Sequence, residues 1–199
     1  MVFVVMVTGA KRSGKDTFCD ALEQICNEEN IITQRHAFAN PLKQIAASAL
    51  GIDIATLDRL KNNDSTLAVI TQGGPVNLVT VRQFLQQLGT EGIRETLGQD
   101  TWTRLCLEKI TGSLADIFIV SDFRFLNEYS TIATQVPPGI QVVTVRIERS
   151  VANDDTHASE TELAQANFVF DYYIPNDNSI ADLHKSVRRF LWYLRTFWK

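Results

Sequence analysis

One feature limits the folds open to this chain more than any other. The run Val2-Phe3-Val4-Val5-Met6-Val7 is continuously apolar and rich in β-branched residues. It flows directly into Gly9-Ala10-Lys11-Arg12-Ser13-Gly14-Lys15-Asp16-Thr17. A strand reads this way when both of its faces are buried, and such strands belong to parallel sheets. The two glycines and the lysine have the spacing G-x-x-x-x-G-K of a phosphate-binding loop, in its proper setting between a strand and a helix. Phe18, Leu22, Ile25 and Cys26 lie on one face of the following segment and predict a helix from Gly14 to about Cys26.

Strands and helices keep alternating. Strands are expected at Thr33–Phe38, Ile117–Val120, Val142–Ile147 and Phe168–Ile174. Asn40-Pro41 is expected to cap a helix that ends at Gly51, and Val81–Leu88 to form one that stops at Gly89. Further helices are expected around Trp102–Ile110 and beyond Ser179. Residues 52–80 carry loop signals, Asn62-Asn63-Asp64 and Gly73-Gly74-Pro75, with Leu67–Thr71 as a hairpin arm. The alternation implies an α/β fold with a mostly parallel central sheet flanked by helices, in a single domain over 1–199.

Composition sets outer limits. The 199 residues suit one domain, and a net charge of −4 argues against binding of a nucleic acid polymer. The three cysteines, Cys19, Cys26 and Cys106, suggest no disulfide framework or zinc site and read as small buried hydrophobes. The N-terminal apolar run is too short for a membrane span and lacks a basic leader, so a cytoplasmic location is expected.

The loop dictates its own chemistry. Glycine removes the Cβ that would block a phosphate, and the N–H groups from Ser13 to Thr17 face an anion at the positive end of a helix dipole. Lys15 neutralises phosphate charge. Asp16 stands where a hydroxyl normally ligates Mg²⁺. Its carboxylate reads as a Mg²⁺ ligand, or as an acid favoured in the first turn of a helix. Asp122 follows an apolar strand and reads as a second acid holding or orienting Mg²⁺. Arg124, two residues on, suits a bidentate phosphate clamp.

The chain resembles the bacteriophage-type deoxynucleoside monophosphate kinases, which use the form G-K-D-T. "FANPLKQIA" (38–46), "VRQFLQQLGTE" (81–91) with Trp102 beyond it, "VSDFRFLNE" (120–128), "THASETEL" (156–163) and "IPNDNS" (174–179) resemble further segments of that family, in the family's order. Val81 and Leu126 replace prolines often found there, and 52–80 aligns with nothing in it.

The resemblance implies a P-loop NTPase three-layer fold and transfer of the γ-phosphoryl of Mg-ATP to a nucleoside 5′-monophosphate. Lys15, Asp122, Arg124 and Arg149 would serve catalysis. Gly9 to Thr17, with Asn176, would bind ATP, and Asp16 and Asp122 would serve Mg²⁺. Lys43, Arg82, Gln86, Arg94 and Trp102 would surround the acceptor, within a region of about 38–100. A lid is expected over about 149–163, with His157 in a structural role there. Its partners would be small nucleotides, with no membrane. The aromatic tail Phe190, Trp192, Tyr193, Phe197 and Trp198 reads as core or as a homodimer surface. Two other readings stand beside this one: another small-molecule P-loop kinase, and an ATP-binding regulator without catalysis.

Overall fold

A computed structural model describes residues 1–70, 76–150, 162–163 and 165–197. The chain divides into two compact units: Met1–Ala37 with Cys106–Lys199, and Phe38–Leu105.

The first unit is built on a five-stranded, all-parallel sheet of β1 (Val2–Thr8), β2 (Thr33–His36), β5 (Ile117–Val120), β6 (Ile140–Glu148) and β7 (Tyr172–Pro175). The spatial order is β2-β5-β1-β6-β7. β1 runs down the middle, with Met6 beside Val120 on one side and Thr144 on the other. Phe3, Val5 and Val7 point to one face, where α1 (Lys15–Glu28) and α8 (Ile180–Arg195) bury Phe18, Leu22, Leu183, Val187 and Phe190 against them. Val4 and Met6 point the other way and are also fully buried. Burial on both faces is the reason β1 is apolar at every position.

Two expectations needed correction here. The last strand is Tyr172–Pro175, shorter than Phe168–Ile174. Phe168 and Phe170 leave the sheet to pack edge-on against each other and against Phe123, which follows β5. A helix not anticipated, α7 (Leu126–Gln135), follows β5. Its start is held by the buried Glu128, whose carboxylate accepts from the N–H groups of Arg124 and Phe125 at 2.8 and 3.0 Å.

The second unit contains α2 (Ala39–Leu50), α3 (Ile54–Asn62), the antiparallel pair β3 (Thr66–Ile70) and β4 (Val76–Thr80), and α4 (Val81–Gln87). Ala46, Ala47, Leu57, Val81 and Leu85 form its core. α2 starts two residues earlier than expected, so Asn40 does not cap it and Pro41 lies in its first turn, where no N–H is needed. Asp53 caps α3, accepting from Thr56 N–H at 2.6 Å.

Gly89 does not stop α4. The backbone continues as a π-helical stretch, Leu88–Arg94, and a short α5 (Glu95–Leu97), ending at Gly98. Gly89 serves close packing instead, since a Cβ there would lie 2.8 Å from Leu42 Cδ2. Its carbonyl accepts from the indole N–H of Trp102 at 3.2 Å, and Trp102 lies on α6 (Thr101–Thr111). No helix among the described residues is long and apolar enough to cross a membrane.

Candidate active site

The loop after β1 is set by two close approaches. A Cβ on Gly9 would fall 2.5 Å from the Ile147 carbonyl on β6, and one on Gly14 would fall 2.2 Å from Asn176 Nδ2. Gly14 also has φ 95°, in the left-handed region. Both glycines are therefore required by packing and by conformation. Asn176, just past β7, donates from Nδ2 to the Ser13 carbonyl at 2.7 Å. It was expected to touch ATP; the structure places its amide against the loop's backbone. Ser13 N–H donates to the Ala10 carbonyl at 3.1 Å, and Arg12 takes φ 65°.

Lys15 folds back over the loop. Its Nζ donates to the carbonyls of Gly9 and Ala10 at 2.5 and 2.9 Å. Lys11, Arg12, Asp16 and Thr17 are exposed. Ser13 is buried, and its hydroxyl has no hydrogen-bond partner among the described residues. A buried polar atom without a partner is uncommon and calls for an explanation. An oxyanion seated in the loop supplies one.

The second acid is delivered by β5. Phe123 N–H donates to the Val7 carbonyl at 3.1 Å, which ties the turn after β5 to the end of β1. Ser121 donates to the His36 carbonyl from its N–H at 3.0 Å. Asp122 and Arg124 flank Phe123 and lie within electrostatic reach of Lys15. Burial, with the Arg124 guanidinium second, holds the Lys15 pKa down at about 8. The carboxylates of Asp16 and Asp122 pull the other way. Two cations held together at the mouth of a parallel sheet form a site that favours an anion of more than one charge.

Asp16 makes a contact that the sequence did not disclose. Its Oδ1 accepts from Arg35 NH2 at 2.6 Å, while Arg35 NH1 reaches Asp20 Oδ1 at 2.6 Å. Arg35 was missed because it stands on β2, far from α1 in sequence. The i, i+4, i+7 spacing of Asp16, Asp20 and Glu23 was the available signal.

Arg149 is exposed, one residue past β6. Its neighbour Ser150 donates from N–H to Asp177 Oδ1 at 2.6 Å. The rest of the expected lid, with His157, lies outside the described residues except for 162 and 163, and so does Trp198 of the tail.

In the second unit Lys43 pairs with Asp58 at 2.8 Å, and Arg82 Nε lies 3.8 Å from Asp64 Oδ1. Gln86, one turn from Arg82 on α4, is half-buried. Arg94 and Trp102 are buried. Trp102 is thereby a packing residue whose indole holds the π-helical stretch.

Comparison with known proteins adds a finding independent of the loop. The model of the family described as deoxynucleotide monophosphate kinase matches residues 53–187, more than half of the chain, entirely beyond the loop and across 53–80, where the sequence alone showed no likeness to the family. The chain belongs to that family. No curated protein matches it. Among solved structures, a dephospho-CoA kinase from Campylobacter jejuni is similar in fold, with TM-score 0.52 and 13% identity over 98% of both chains. An APS kinase from Mycobacterium tuberculosis is also similar, with TM-score 0.47 and 17% identity over 96% of both chains.

A kinase of this family is expected to need a divalent metal, and the residues fit one. Among the described residues no group of three or more His, Cys, Asp or Glu side chains converges to cage an ion. Mg²⁺ suits such a site because it keeps several waters and takes one or two carboxylates along with the substrate's phosphates. Asp122 and Asp16, both within electrostatic reach of Lys15, are the residues that would hold it. The cysteines play no part. All three are buried, and burial pushes each thiol up to about 12.

Proposed function

We propose that this nucleotide kinase transfers the γ-phosphoryl group of Mg-ATP to the 5′-phosphate of a deoxynucleoside monophosphate. The observation that carries the reading is the pair of cations, Lys15 and Arg124, held at the phosphate loop. The family match over 53–187 supports a nucleotide acceptor.

The roles follow from charge and placement. The loop from Gly9 to Thr17 binds the triphosphate through its N–H groups, with Asn176 bracing the loop's shape from behind. Lys15 moves from the Gly9 and Ala10 carbonyls to the phosphate oxygens. Arg124 steadies the charge on the group in transfer, and Arg149, just past β6, is a second arginine for it. Asp16 and Asp122 would hold Mg²⁺, which would supply neutralisation of the phosphate charge. The unit Phe38–Leu105 takes the acceptor, with Lys43 and Arg82 exchanging Asp58 and Asp64 for the monophosphate. Gln86 and Arg94 complete that subsite, and Trp102 holds its backbone. No covalent intermediate is needed, because positioning and neutralisation suffice for phosphoryl transfer.

The test is acceptor-dependent ADP release. With Mg-ATP, release is expected to rise sharply on adding dAMP, dGMP, dCMP or dTMP, for at least one of the four. ADP release that is indifferent to all four acceptors would remove this reading.

A further inference from the structure

Arg35 on β2 directs its guanidinium at α1, the helix that closes the phosphate loop. Side chains alternate along β2. Gln34 and His36 carry buried polar atoms, while Arg35 reaches α1. Its guanidinium meets three carboxylates: Asp16 and Asp20, each at 2.6 Å, and Glu23 at 3.7 Å. Positions 16, 20 and 23 share one helix face.

The partners are unequal. The Arg35 side chain is 24% exposed, but that of Asp16 is 85% exposed. One positive charge faces three negative ones, so the contact to Asp16 is separable from the rest. If Asp16 turns away, Arg35 keeps Asp20 and Glu23 and no cation is stranded. Asp16 also follows Lys15 directly, in the first turn of the helix whose N-terminus closes the loop. Its carboxylate can therefore serve either Arg35 or a cation at the phosphates.

We propose that Arg35 is the counter-cation that Mg²⁺ displaces from Asp16, and that it thereby sets the Mg²⁺ concentration at which Mg-nucleotide binds. This rests on the reading of Asp16 as a Mg²⁺ ligand. Arg35 is a positioning residue: it acts through Asp16 and does not touch the nucleotide. An ion pair this exposed is a weak competitor, so the effect is about two- to fivefold in the Mg²⁺ midpoint.

The experiment is calorimetric titration of the full chain with AMPPNP at a series of Mg²⁺ concentrations and constant ionic strength. Arg35→Gln is expected to lower the half-saturating Mg²⁺ by about two- to fivefold. Arg35→Lys should fall between it and the unsubstituted chain, and carries the test if Arg35→Gln does not fold. Asp16→Asn is expected to raise the midpoint, and adding Arg35→Gln to it should then change nothing. A purely structural Arg35 would weaken AMPPNP binding at saturating Mg²⁺ without moving the midpoint, and that result overturns the proposal while leaving Asp16 as a ligand. An unmoved midpoint in Asp16→Asn alone overturns the reading of Asp16, and the proposal with it.

Discussion

Asn176 and Ser13 stand 163 residues apart, yet the Asn176 amide donates to the Ser13 carbonyl at 2.7 Å. The same amide nitrogen lies where a Cβ of Gly14 would go, 2.2 Å away. One side chain therefore braces the phosphate loop and fills the space beside Gly14, whose φ of 95° is what demands glycine there.

Asn176→Ala should remove that brace and leave the Ser13 carbonyl unpaired. A loss of about 1–3 kcal/mol in unfolding free energy is expected, together with a raised KM for ATP. Chemical denaturation and steady-state kinetics check the two effects separately. Unchanged values for both would show that the loop holds its shape alone.

Lys15 gives opposite pH signs for stability and for binding. Its pKa is lowered from 10.5 to about 8, burial being the largest cause. Below about pH 8 the folded chain carries a buried ammonium at a cost. Between about 8 and 10.5 the folded chain releases a proton that the unfolded chain keeps, so this residue's contribution to stability rises with pH. Nucleotide binding needs the charged form, so ATP affinity should fall above pH 8 by up to about tenfold per unit. Binding at pH 8.5 should take up a proton, readable as a buffer-dependent calorimetric heat. Lys15→Ala should abolish both signals.

Arg124 is coupled to that titration. Arg124→Gln removes a cation that lowers the Lys15 pKa, so the falling limb of ATP binding should move to higher pH. Turnover should also drop, by about a hundredfold or more, through loss of a donor to the transferring group. A large loss of turnover with an unmoved limb would mean that the two cations do not share a site.

The sequence disclosed those parts of the site that announce themselves locally. β1, the loop and α1 were legible because an apolar run, two glycines and a lysine fall within a few residues of one another. The turn that carries Asp122 was legible because the apolar strand Ile117–Val120 precedes it. α3 escaped because Leu57 is its only fully buried residue and its start is signalled by Asp53 and Thr56 alone. Gly89 misled because glycine serves close packing as readily as termination, and Leu42, which demands it, lies on another helix. The Arg35 clasp and the Asn176 brace were hidden for one reason: each joins residues that only the sheet brings together.

The Trp102 indole tests the unusual end of α4. Trp102→Phe keeps an aromatic side chain but loses the five-membered ring and with it the donor to the Gly89 carbonyl. A loss of about 1–3 kcal/mol in stability is expected from the bond and the space left, with hydrogen exchange quickened in residues 88–97. Exchange unchanged there would assign the π-helical stretch to packing against Leu42 alone.

Phosphoryl transfer to a deoxynucleoside monophosphate at the Lys15 loop can be followed atom by atom. The most direct measurement is to follow the labelled γ-phosphoryl of ATP into dAMP, dGMP, dCMP and dTMP separately, with Lys15→Ala beside the unsubstituted chain. Label in at least one deoxynucleoside diphosphate, lost in the variant, is the predicted result. ATP binding without label in any diphosphate would contradict the account.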